Sequence, residues 1–95
     1  MQLRIRPEVR VHRATKGSWF YCVLSDAATR KLLEFRGAGR RARHSKVEVQ
    51  IGNTSWQTNL ILDRNRGWLF VIKAEVRRAE VIEPGQRIAA TIEFL

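Results

Sequence analysis

The sequence is short of the residues that carry covalent and metal-centred chemistry. Its single cysteine, Cys22, excludes an intrachain disulfide and a multi-cysteine zinc cage. The two histidines, His12 and His44, stand at no recognisable spacing from a cysteine or an acid, and no HExxH pattern or nucleophile elbow occurs. Long apolar runs are missing too. None approaches the roughly 18–20 residues of a membrane-spanning helix. The opening Met1-Gln2-Leu3-Arg4-Ile5-Arg6 has no apolar stretch of the kind a secretory signal carries. What is present, 44% hydrophobic and 28% charged residues spread along the chain, suits a folded domain and not a disordered one. The expectation is a single domain over residues 1–95, cytoplasmic and non-enzymatic, with no cofactor and no metal.

Acids are the other shortage. The chain has 9 Asp and Glu against 18 Lys and Arg, a formal net charge of +9. The excess is confined to the N-terminal half: residues 1–46 hold 12 basic groups and three acids, while residues 47–95 hold six of each. From Arg36 to Lys46 there are basic residues and His44 but no acid. A field of one sign attracts polyanions and speeds their encounter, with nucleic acid the first candidate. Arg36, Arg40, Arg41, Arg43 and Lys46 form the expected contact set. A solvated basic loop that only aids solubility is the competing reading.

Hydrophobic periodicity predicts a mainly β protein. Leu3, Ile5, Pro7, Val9 and Val11 alternate with Arg4, Arg6, Glu8 and Arg10, a half-buried strand with an edge or bulge at Pro7. Residues 19–24 are apolar on both faces, as in a central strand. Asp26 reads as a helix N-cap, Ala28, Leu32 and Phe35 stack on one face, and Gly37 closes a helix over about 26–36. Alternating strands follow around a Gly52-Asn53 turn and a turn over 63–67. Residues 68–72 are another buried strand, residues 75–80 a short helical turn, and residues 88–94 a last strand after the Pro84-Gly85 turn. About six strands and one helix predict a single small β-barrel, closed or nearly closed, which would remove sheet edges.

Few side chains invite a chemical role. Cys22, between Tyr21 and Val23 in an apolar strand, reads as a buried hydrophobe. Gly37-Ala38-Gly39-Arg40-Arg41 lacks both the Walker spacing and the third glycine of a dinucleotide loop. Trp19 and Trp68 read as core. Trp56, between Ser55 and Gln57, is the candidate for an exposed ring, with packing in the core or at a barrel mouth favoured over stacking on a base. A small-molecule pocket at a barrel mouth would draw on Tyr21, Trp56 and Arg77.

The segment Trp68 to Glu93 joins a buried strand, an arginine-bearing helical turn, an apolar pair, a Pro84-Gly85 turn and an alternating strand. With Gly17-Ser18-Trp19, Val47 to Gly52 and Arg66-Gly67, it resembles the bacterial DUF1905 family. These are small domains of unknown function found alone or fused to YdeI/OmpD-associated domains. The resemblance runs from about Val9 to the C-terminus and implies a small β-barrel without established catalytic residues. Gly85-Gln86 stands where such domains often have Gly-Asp, which removes an acid that would pair with Arg77 or Arg78. The same segment is similar to the hairpin of AbrB/MazE-type transcription factors and antitoxins, whose barrels are shared between two chains. Taken together, the expected function is polyanion binding, with a protein-interaction or homodimeric assembly domain and a small-molecule site as alternatives.

Overall fold

The computed structural model describes residues 2–36 and 44–95. Seven strands and two helices follow in the order β1 (Gln2–Ile5), β2 (Arg10–Ala14), β3 (Gly17–Val23), α1 (Asp26–Arg36), β4 (His44–Ile51), β5 (Thr54–Asp63), β6 (Gly67–Ile72), α2 (Ala74–Ala79) and β7 (Ala90–Phe94). All seven strands lie in one sheet, ordered β1-β7-β4-β5-β6-β3-β2, and every ladder in it is antiparallel.

The strand expected over residues 3–11 is two strands at opposite edges of the sheet. Pro7 has no N–H to donate and cannot continue a ladder. At this point the chain leaves β7 and crosses the 85–88 segment, with Ile88 N donating to Pro7 O, Val9 N to Gln86 O and Gly85 N to Val9 O. It then joins β3. This crossing limits the shape of the sheet. In a flat sheet six strand spacings of about 4.8 Å would separate the edges by roughly 29 Å. Five residue steps from Ile5 to Arg10 reach only about 17 Å. The sheet is therefore curled, but it is not closed, because among the described residues no ladder joins β1 to β2.

The inside of the curl is the core. Val47, Val49, Leu60, Phe70 and Ile92 are fully buried there, and α1 contributes Ala28 and Leu32 to the same cluster. Helix α1 spans the expected residues, but its cap is Ser25 and not Asp26: Ser25 Oγ accepts from Ala28 N at 3.2 Å, while Asp26 stands in the first turn where a carboxylate suits the dipole. Phe35 leaves the buried face and stacks at 4.6 Å on Phe94. Helix α2 buries Val76 and ends with Ile82 N donating to Arg77 O at 3.0 Å, the long bond of a Schellman motif. Among the described residues no helix is long and apolar enough to cross a membrane.

Candidate nucleic-acid interface

The register of the β2–β3 hairpin determines what the convex face of the sheet displays. Ala14 pairs with Gly17 across a two-residue turn, so His12 stands opposite Trp19 and Arg10 opposite Tyr21. Side chains alternate along a strand, and Cys22 faces the core, so Trp19 and Tyr21 face the other way. The rings form a row: His12 and Trp19 centroids are 5.0 Å apart, Trp19 and Tyr21 5.1 Å, each pair tilted by 45°. Tyr21 is buried although it lies outside the core cluster.

Arg66, from the β5–β6 turn, holds one end of this row. Its guanidinium carbon sits 5.2 Å from the Tyr21 ring centroid, and its Nε donates to the Tyr21 hydroxyl at 3.0 Å. Its Nη2 lies 3.3 Å from His12 Nδ1, and because a guanidinium has donors only, that ring nitrogen is the acceptor. Asp63 fixes the turn: its Oδ1 accepts from Asn65 N at 2.8 Å and Arg66 N at 2.9 Å, and its Oδ2 meets Arg66 Nη1 at 3.3 Å. The backbone N–H groups of Asn65 and then Arg66 hold the Asp63 carboxyl below its ordinary range, and the Tyr21 hydroxyl leads the contacts that hold Arg66 above its own.

The expected basic set is divided. Lys46 is exposed on β4 opposite Asn59. Asn59, Ile61 and Asp63 share one face of β5 by alternation, and Ile61 pairs with Leu69, which pairs with Val23. Lys46 therefore stands on the same convex face as Arg66, Tyr21, Trp19, His12 and Arg10. Arg36 ends α1 with its guanidinium carbon 4.8 Å over the Trp68 ring. Arg40, Arg41 and Arg43 lie outside the described residues. The chain leaves α1 beside Trp68 and enters β4 at His44, which pairs with Ile61. Both points belong to the end of the sheet that carries the Asp63–Arg66 turn.

The pocket set is not brought together. Tyr21 is on the convex face under Arg66, whereas Trp56 is buried in the core with its ring 6.4 Å from Phe70. Arg77 lies elsewhere again, its guanidinium carbon 4.0 Å over the Phe20 ring. Trp68 joins the core as expected and Trp56 packs there too, the placement favoured for it, whereas Trp19, expected in the core, is half-exposed. His12 and Arg66 escape sequence reasoning, since Arg66 lies far along the chain from both of its ring partners. The spacing of His12 and Trp19 about Lys16-Gly17 was the available signal.

The half-exposed His12 and Trp19 rings, edged by guanidinium groups, can stack planar groups and hold phosphates. Elsewhere the chemistry is quiet. Burial pushes the Cys22 thiol up to about 12, which keeps it protonated and unreactive. Among the described residues no group of three or more His, Cys, Asp or Glu side chains could hold a metal ion.

No curated protein matches the chain. The family model described as "Domain of unknown function (DUF1905)" matches residues 7–92, and the chain belongs to that family.

Proposed function

We propose that this chain is a cytoplasmic nucleic-acid-binding module, non-enzymatic, built on a nearly closed β-barrel. The four-residue link between the two edge strands supports the barrel reading, since it draws those edges together. A lone buried thiol suits a reducing compartment. The observation that carries the functional reading is the half-exposed Trp19 between His12 and Tyr21, on the convex face that also bears Arg10, Arg66 and Lys46. Unstacked bases would lie on the rings while Arg36, Arg40, Arg41, Arg43 and Lys46 neutralise the backbone beside them. A single strand suits such a face better than a duplex, because only unstacked bases offer a ring face to Trp19.

Strand-to-strand assembly is the weaker reading. The edge strands carry Arg4 on β1 and Arg10 and Arg13 on β2, and edge charges discourage the addition of a further strand. The test is fluorescence anisotropy with a labelled single-stranded oligonucleotide, comparing the chain with its Arg40→Ala/Arg41→Ala/Arg43→Ala variant. The expected result is binding at low salt that the variant loses while its melting temperature holds. Equal binding by both would refute the role of the basic segment.

A further inference from the structure

A second site lies apart from the convex face, where the C-terminal end of α2 meets β3. Phe20, Arg77, Arg78, Val81, Ile82 and Glu83 line an open cleft of about 340 Å³. Its walls come from the way α2 stops. After the C-cap Glu80 the chain turns through Val81 at φ 52°, and Ile82 N returns to Arg77 O. This left-handed conformation is one that a β-branched residue rarely adopts, and it strains the backbone. Val81 is nevertheless 72% exposed, so no core packing offsets that strain. The far wall is held by the Glu83–Gln86 turn, in which Gly85 has φ 86° and Gln86 Oε1 accepts from Glu83 N at 3.0 Å.

The chemistry of the cleft is uneven in a way that points to a ligand. The Arg77 guanidinium carbon lies 4.0 Å from the Phe20 ring centroid, and Arg77 Nε is buried with no hydrogen-bond partner. A buried donor left unmade is costly, and such groups in native structures call for an explanation. Arg78 adds a second guanidinium, Glu83 a single carboxylate, and Phe20, Val81 and Ile82 an apolar surface. Two cations against one anion leave a net single positive charge. That balance matches a monoanion and disfavours a dianion. The planar guanidinium fork pairs best with a planar carboxylate.

We propose that this cleft binds a small organic acid whose carboxylate meets Arg77 and Arg78 and whose apolar body lies against Phe20, Val81 and Ile82. The proposal is independent of nucleic-acid binding, because none of its residues belongs to the convex face.

The test is a titration of the isotopically labelled chain with phenylacetate, phenylacetamide and phenyl phosphate, read by amide chemical shifts. Saturable shifts at Phe20, Arg77, Val81 and Ile82 are expected with phenylacetate, about tenfold tighter than with the uncharged amide, as a charge-assisted hydrogen bond would give. Arg77→Gln should abolish that preference. Because Arg77→Gln also removes the contact with Phe20 and could unfold the turn, Glu83→Gln is the second variant. Removing the rim acid should tighten phenylacetate by about twofold, the scale of an exposed charge interaction, and should admit phenyl phosphate. Equal shifts with acid and amide, or affinity for phenylacetate unaltered by Glu83→Gln, would overturn the proposal.

Discussion

The carboxylate of Glu80 occupies the space a side chain on Gly52 would need. Glu80 Oε2 accepts a 2.6 Å hydrogen bond from Thr54 Oγ1, so the C-cap of α2 is fastened to the start of β5 beside the β4–β5 turn. Gly52, at φ 58°, is the first of two turn residues, the place where a type II′ hairpin takes glycine.

Gly52→Ala is therefore expected to destabilise the protein by about 1–3 kcal/mol, through left-handed strain and displacement of Glu80 from Thr54. In a Glu80→Ala background the same substitution should cost only the strain, about 1 kcal/mol. A double-mutant cycle by urea denaturation checks this, and additive effects would show that the two residues do not meet.

Val81→Gly is expected to stabilise the protein by about 1 kcal/mol, because glycine adopts the left-handed conformation freely and an exposed valine has little packing to lose. Thermal unfolding gives the sign. A lowered melting temperature would mean that Val81 packs more productively than its exposure implies.

Cys22 should resist thiol reagents in the native protein at pH 8 and react only as the chain unfolds, so its labelling rate should track urea concentration along the unfolding transition. The pH dependence has a definite sign. The folded thiol titrates near 12 against an ordinary value of 9.0, so above pH 9 the unfolded chain loses this proton first and stability falls until about pH 12. Cys22→Ala should remove that part of the alkaline decline, as equilibrium unfolding between pH 8 and 11 would reveal.

Trp19→Ala should weaken oligonucleotide binding by roughly tenfold, the scale of one lost base stack, without changing its salt dependence. Calorimetric titration at two salt concentrations separates the two effects. Unaltered affinity at both salt concentrations would show that Trp19 stacks no base.

Much of the fold was legible because local signals agreed with the tertiary answer. The spacing of Ala28 and Leu32 located α1, and Gly52-Asn53 located a hairpin whose register the structure keeps. Pro7 was visible as an interruption, but its consequence was not. Whether a proline bulges a strand or sends it to the opposite sheet edge depends on the 85–88 segment that receives it, which lies far away in sequence. The N-cap was misplaced by one residue because Ser25 and Asp26 are both good caps, and only the backbone decides which side chain meets the free amides. The ring row was hidden by composition. Residues 19–24 look uniformly apolar, so Trp19 reads as core, whereas alternation sends it outward together with Tyr21, which Arg66 covers there. Trp56 stands between polar neighbours, but alternation turns its ring inward, to the packing favoured for it.

The most direct test of the central claim is the salt dependence of single-stranded oligonucleotide affinity, plotted as log K against log salt concentration. Binding through the basic segment predicts a steep negative slope, about −0.7 per phosphate neutralised, which falls by about two units when Arg40, Arg41 and Arg43 are replaced by alanine. An affinity independent of salt, or no binding at low salt, would contradict the account.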